Sequence, residues 1–314
     1  MFDVVALGEL LIDFTENGLN EAGNPVLTAN PGGAPCNVLA MLQKLGRKTA
    51  FIGKVGRDAF GDFLTATVEE QGICTKNLLK DEKVPTTLAF VHTAPDGDRS
   101  FSFYRNPGAD MMLREKDIDY SVIDDSKLFH FGTLSMTDSE VEKATVSALD
   151  YAKKKGKLIS FDPNLRPLLW DDMEHAKRMM IYGIEHCDIL KIADDEICFL
   201  TGCDSVEAAV KAFTEKYSVK LACVTLGKNG SIALYAGRQV DAAPFIREDT
   251  IETTGAGDTF MACVINYCLE NGLDNLTDEM LHEMLRFANA AAALITTRKG
   301  ALKVMPERAE IEAL

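Results

Sequence analysis

The chain has 314 residues, enough for one large domain or two smaller ones, and its 46% apolar and 26% charged residues are an ordinary globular balance. Its formal net charge of −15 argues against broad electrostatic binding to nucleic acid or an anionic membrane, so a few local donors must hold any phosphate compound. Eight scattered cysteines without a C-x-x-C pair read as small buried hydrophobes in a reducing cytosol, not as disulfides or zinc ligands.

The N-terminus "MFDVVALGEL" has no basic stretch before its apolar run, which does not fit a signal peptide, and no apolar run is long enough to span a membrane. A cytoplasmic location is expected. In "DVVALGELLIDF" a buried strand ends at Gly8 and leads into a loop, then the polar "NEAGNPVLTAN". "PGGAPCNVLAMLQKLG" is a glycine turn feeding a helix with Val38, Met41, Leu42 and Leu45 on one stripe and Gly46 at its C-terminal end. "TAFIGKVG" is a strand and "AFGDFLTATVEEQG" a helix. "TTLAFVHTAPDGDRSFSFYR" alternates on both sides of an Asp-Gly turn, a hairpin signal, with Phe101, Phe103 and Arg105 on one face. Strands follow at "KLFHFG", "KLISFD", "CDILKIA" and "LACVTLG". Helices are expected over Ser139–Lys154, Asp172–Glu185, Ser205–Tyr217, Thr259–Asn271 and Glu279–Thr297.

Repeated strand–helix units imply an α/β fold, a mostly parallel sheet with helices on both faces. Two β-rich excursions, residues 13–30 and 85–107, interrupt it and are expected to pair as a small second sheet. The core is then 1–12, 31–84 and 108–314. Ligands of such folds lie beyond the C-terminal ends of the strands, which draws attention to Asp13, Gly32–Asn37, Asp162–Arg166, Thr225–Gly230 and Gly255–Asp258.

"TTGAGDTF" poses a chemical question: an acid follows at once on a small-residue turn suited to an anion. A helix beginning near Gly257 leaves its first N–H groups unpaired and aimed at the loop. Alone, Asp258 would be an acid complementing the helix dipole. In phosphoryl transfer, the amides of Gly255, Ala256 and Gly257 would hold the migrating phosphoryl oxygens while Asp258 takes the proton of the attacking hydroxyl.

With this motif the chain resembles the ribokinase-like (PfkB) carbohydrate kinases over almost its whole length. "NPGGAPCNVLAMLQKLG…FIGKVGRDAFGDFL" and "IETTGAGDTFMACV" carry the likeness, in that order and spacing. The resemblance implies a three-layer ribokinase-like core with a β lid over the sugar, Asp258 as general base and Gly255–Gly257 as anion hole. It implies ATP and Mg2+ as cofactors and a sugar as the acceptor. Asp13 stands where members of the family bind sugar hydroxyls, although the local sequence is equally readable as a turn acid. Gly32, Gly33 and Asn37 fit a sugar-facing turn, and Phe103 and Arg105 a lid strand reaching into the site. "SFDPNLRPLLW" resembles fructokinases and their keto-sugar relatives, and brings Asn164 and Arg166 to phosphate or substrate. Lys191, Thr225, Gly227, Gly230 and Asn289 fall on the nucleotide side by the same resemblance.

The chain also departs from the family pattern. An Asn-x-x-Glu that orders magnesium waters is here Ala193 and Glu196, leaving only the Glu. An Asp six residues before the base, found in members activated by monovalent cations, is here Glu252, with Thr254 beyond it, so a K+ site is an open alternative. A caged magnesium is not expected; the ion rides on ATP phosphates and water. His130 in "LFHFG" reads as a packed core residue.

The leading expectation is a fructokinase; the same-fold alternative is a 2-keto-3-deoxygluconate kinase, whose acidic substrate demands more cations. A dinucleotide-dependent oxidoreductase lacks its G-x-G-x-x-G here, and a non-catalytic sugar sensor would not need the base. The apolar face of the lid hairpin fits either a second subunit, giving a homodimer, or closure on its own core.

Overall fold

The computed structural model describes residues 1–93 and 99–314. The chain begins inside a nine-stranded sheet with β1 (Val4–Leu7), third from one edge. It then leaves the sheet for β2 (Leu11–Leu19) and β3 (Pro25–Gly32), and returns through α1 (Ala34–Lys44), β4 (Thr49–Gly56), α2 (Ala59–Glu70) and β5 (Cys74–Asp81). A second excursion supplies β6 (Leu88–Thr93) and β7 (Arg99–Tyr104). From α3 (Tyr120–Asp124) the alternation resumes: β8 (Leu128–Gly132), α4 (Ser139–Lys154), β9 (Leu158–Asp162), α5 (Met173–His186), β10 (Ile189–Ala193), α6 (Asp194–Thr201), α7 (Val206–Lys216) and β11 (Leu221–Thr225). A meander of β12 (Ser231–Tyr235) and β13 (Arg238–Ala242) precedes α8 (Ala256–Asn271), α9 (Asp278–Ile295) and α10 (Arg308–Glu312).

The large sheet runs β13-β12-β11-β10-β9-β8-β1-β4-β5, parallel from β11 to β5 and antiparallel at its β12–β13 edge. Its central strands are apolar on both faces because helices cover both. Val4 and Ala6 pack into one core layer with α1, α2, α8 and α9, while Val5 and Leu7 pack into the other with α3 to α7. The same two-residue alternation splits Leu221 and Cys223 from Ala222 and Val224 on β11. Helices form where the apolar stripe has a capping acid or hydroxyl before it: Asp58, Asp138, Asp172, Ser205 and Thr277 each accept a backbone N–H of the following turn.

The small sheet has the order β3-β2-β6-β7, with β2 parallel to β6 and its other pairs antiparallel. The expected pairing of the two excursions into one sheet is therefore present, though its first strand begins two residues before Asp13. The expected Asp96-Gly97 turn and the side chain of Phe101 lie outside the residues described. Elements the sequence reading passed over are α3, α6, α10, β5 and β12–β13, and α8 starts at Ala256 instead of Thr259. Strand β5 carries Lys76, Asn77, Lys80 and Asp81 because it is a half-exposed edge, so no apolar run announces it.

Chain order places β4 and β5 on one side of β1 and β8 onward on the other, so the connections that leave the C-terminal ends of the paired β1 and β8 run opposite ways and leave a crevice. The small sheet stands over that crevice.

Candidate active site

Two cavities lie in the crevice. The first, about 300 Å3, is lined by Asp13, Gly33, Asn37, Phe103, Asn164, Arg166, Lys191, Glu252, Thr254 and Asp258, and also by Glu9. The second, about 350 Å3, is lined by Thr225, Gly227, Gly230, Phe245, Arg247 and Asn289. Thr253 and Gly257 line both, so the turn before α8 is the partition between them.

Gly255 begins that turn with φ of 78°, the left-handed region that glycine occupies without strain, and a Cβ there would stand 2.8 Å from the Cβ of Ala301. The N–H of Ala256 donates to Thr253 O at 3.2 Å, whereas those of Gly255, Gly257 and Asp258 have no acceptor among the described residues. Of the three expected amides, two are therefore open, and that of Asp258 joins them. A Cβ on Gly257 would lie 3.1 Å from Nζ of Lys191, so the lysine ammonium stands directly beside these donors.

Asp258 is buried on the first turn of α8, and its Oδ2 accepts from Asn37 Nδ2 at 2.8 Å. Burial, reinforced by the charge of Asp162, lifts its pKa to about 6, while Asn37, Lys191 and Arg166 hold it from rising further. Asn37 Oδ1 is buried without a partner and is left to accept from a ligand. Asp13 hangs from β2 with no donor to its carboxylate among the described residues; burial together with Glu252 and Asp258 raises its pKa to about 7 against the pull of Arg166. A Cβ on Gly32 would fall 2.3 Å from Asp13 Oδ2 and push that carboxylate aside, and a Cβ on Gly33, at φ 128°, would meet Glu9 O at 2.4 Å.

On the wall of the first cavity, Lys191 Nζ pairs with Asp162 Oδ1 at 3.1 Å. The surrounding acids Asp162, Glu196 and Asp258 raise the lysine pKa against its burial, so the cation is permanent. Asp162 Oδ2 is buried without a partner. Glu196 is buried too, its oxygens accepting from Leu165 N and Ala193 N at 2.7 Å each. It thereby ties the "PNLR" loop, with Asn164 at φ 44°, to the start of α6. Glu252 accepts from Gly300 N at 2.9 Å, and Thr254 lies near it on the cavity wall. Among the described residues no group of three or more His, Cys, Asp or Glu could cage a metal ion.

Two expected contacts are arranged differently. Arg105 does not line the cavity. Its Nε donates to Asp110 Oδ2 at 2.8 Å, its NH2 nitrogen to Leu134 O at 2.8 Å and its NH1 nitrogen to Thr137 Oγ1 at 2.8 Å, all behind the cavity wall. A buried guanidinium needs full pairing, and nothing in "YRNPGAD" showed that Asp110 would supply it. Asn289 lines the second cavity, but its Oδ1 accepts from Ser231 Oγ at 2.9 Å and its Nδ2 donates to Ala243 O at 3.0 Å, so its amide holds the cavity wall together. Glu9, missed in the sequence, is buried at the cavity; Glu in "LGELL" looked like a loop residue because only the third dimension brings α1 across it. His130 is packed in the core as expected, bonded through Nδ1 to Ser160 Oγ at 2.9 Å.

A nine-stranded α/β sheet crowned by a small β-sheet, with an acid and open amides on the partition between two cavities, defines a kinase of small hydroxylated acceptors. The chain matches the pfkB family carbohydrate kinases over residues 1–308 and belongs to that family. It is 37% identical, over 99% of its length and 96% of the relative's, to probable fructokinase-4 of Arabidopsis thaliana. Its fold superposes with a TM-score of 0.90 on a fructokinase with bound ATP from Xylella fastidiosa, 29% identical, covering 100% of this chain and 98% of that one. A fructokinase from Vibrio cholerae in a fructose, ADP and calcium ion bound form gives 0.88 at 28% identity, covering 99% and 98%.

Proposed function

We propose that this chain is an ATP-dependent fructokinase, moving the γ-phosphoryl of ATP to the 6-hydroxyl of fructose. The observation that carries the reading is Asp258 on the wall of the first cavity, next to the Gly257 partition, buried and with its pKa near 6. A base with that pKa is ionised at neutral pH yet still strong enough to hold a proton in the transition state.

The sugar occupies the first cavity. Asp13 accepts two of its hydroxyl hydrogens, Asn37 Oδ1 accepts a third, and Gly32, Gly33, Phe103 and Arg166 shape the pocket around it. ATP occupies the second cavity, its base end toward Thr225, Gly227, Gly230 and Asn289 and its triphosphate toward Asn164 and Lys191. As the 6-oxygen bonds to the γ-phosphorus, its proton passes to Asp258 and the bond to the bridging oxygen breaks, releasing ADP. Charge spreading over the phosphoryl oxygens meets the open N–H groups of Gly255, Gly257 and Asp258 and the Lys191 ammonium. The donor set fits Mg2+ held through water: the unpaired Asp162 Oδ2 and Glu196 would hold it, and it would neutralise triphosphate charge. Glu252 and Thr254 would serve K+ beside the turn.

Segments 13–30 and 85–107 act as a lid on the core of 1–12, 31–84 and 108–314, closing on the sugar to exclude water that would otherwise take the phosphoryl group. Arg105 supports that lid from behind. Its pairing with Asp110 leaves Arg166 as the cation for a substrate, which favours a neutral sugar over 2-keto-3-deoxygluconate. Eight free cysteines fit a reducing, cytoplasmic setting. No helix among the described residues is long and apolar enough to cross a membrane. An ATP-consumption panel over fructose, ketodeoxygluconate, ribose, tagatose and adenosine tests the assignment. Fructose should give the highest kcat/KM; turnover of none of them would point to a sugar sensor instead.

A further inference from the structure

The mechanism leaves one buried acid at the sugar cavity without a task. Glu9 follows β1, is 3% exposed and lines the cavity. Its Oε1 is fixed by the N–H of Ala34, the first residue of α1, at 2.8 Å. Besides Ala34, only its own backbone N–H reaches the carboxyl among the described residues, so the group keeps lone pairs that can accept from whatever fills the cavity. Glu9 and Asp258 both line this cavity, the first held by Ala34 and the second by Asn37. The charges that act most on Glu9 are those of Asp110 and Arg105, while those that act most on Asp258 are Asp162, Lys191 and Arg166, so the two acids face different neighbours.

We propose that Glu9 is a specificity-determining residue that accepts a hydrogen bond from the acceptor sugar at the end remote from the reacting hydroxyl. The inference rests on the fructokinase reading. In a ketohexofuranose the C1 and C6 hydroxymethyl groups stand on the two carbons that flank the ring oxygen. With C6 at Asp258, the C1 hydroxyl is the group delivered to Glu9. The N–H of Ala34 holds the carboxyl in place, so little ordering is left for the sugar to bring about. A substrate carboxylate at this end would meet an acid, while the nearby cation, Arg105, is consumed by Asp110, Leu134 O and Thr137. The same geometry that recognises a neutral ketose therefore rejects a sugar acid.

Glu9→Gln keeps an acceptor for Ala34 and removes the charge, so it is the variant of choice, with thermal unfolding as the check on the fold. With fructose, KM should rise about tenfold or more while kcat stays within about twofold, as expected for loss of a charge-assisted hydrogen bond away from the reacting atoms. With 1-deoxyfructose, which lacks the C1 hydroxyl, wild type and Glu9→Gln should have the same kcat/KM. The preference for fructose over 2-keto-3-deoxygluconate should narrow in the variant. Equal losses on fructose and 1-deoxyfructose, or a lowered Tm with unchanged KM, would reduce Glu9 to a cap on α1 and overturn the inference alone. If wild type fails to phosphorylate fructose at all, the fructokinase reading falls and this inference falls with it.

Discussion

The acids that line the first cavity are costly to ionise. Glu9 and Asp13 have pKa values of about 7 and Asp258 of about 6, each raised mainly by burial. A carboxyl whose folded pKa lies above its unfolded value contributes stability that is complete below about pH 4 and is lost as pH rises through about 6 to 7. The unliganded protein should therefore lose Tm between pH 5 and pH 8. Asp13→Asn should flatten that loss and stabilise the free protein at pH 8 by about 2 kcal/mol, a figure that allows for water in the open cavity, while sugar affinity falls. Calorimetry against pH would refute this if variant and wild type ran parallel. For Asp258→Asn, kcat should drop by about a hundredfold to ten-thousandfold with sugar Kd little changed. The wild-type kcat/KM profile should rise through a pKa near 6 on its acid side. A variant with near-normal kcat would leave Asp258 as a helix cap only.

Helix α8 shows how an element supplies chemistry that no single residue carries. Most of its first three turns is buried, so the helix is fixed in position, and Gly255 turns its amides toward the partition between the cavities. Gly257→Ala would add a methyl group 3.1 Å from Lys191 Nζ, at the far end of a flexible side chain. The lysine can shift by a few tenths of an ångström, so the fold should survive, while kcat/KM for ATP falls by roughly tenfold through misplacement beside the triphosphate. Unchanged kinetics would mean that the lysine does not act at this turn. The Arg105–Asp110 pair behaves differently. Asp110→Ala strands a buried guanidinium and should lower stability by about 3–5 kcal/mol by denaturant titration, whatever the sugar.

For the molecule as a whole, the small sheet carries a group of exposed apolar side chains. Leu19, Val26, Leu27 and Tyr104 are all exposed on its strands, four of the ten large apolar side chains exposed among the described residues, with the consecutive Val26 and Leu27 on opposite faces of β3. The stack of Phe14 on Phe90 and the packing of Phe14 on Phe60 of α2 give that sheet a rigid seat on the core. We propose a homodimer through the small sheet, with closure on its own core as the alternative. Light scattering should show a dimer, and Leu27→Glu should yield monomers; a monomeric wild type would leave the sheet closing on its own core alone.

The order of strands and helices was legible because β1, β8, β9, β10 and β11 are short apolar runs and the helices of both layers carry a 3.6-residue stripe behind a capping residue. Such patterns are local, so they survive without coordinates. Asp258 and its glycine turn were legible for the same reason: a helix start beside small residues is written in eight consecutive letters. What crosses the chain was not. Asn37 reaches Asp258 over 221 residues, Asp110 takes Arg105 away from the cavity, and α1 delivers Ala34 to Glu9 from 25 residues on. Pairing of a buried charge depends on which neighbours the fold brings within hydrogen-bond reach. Only the folded chain settles that, because desolvation makes every such group take the nearest partner in space, however distant it is along the sequence.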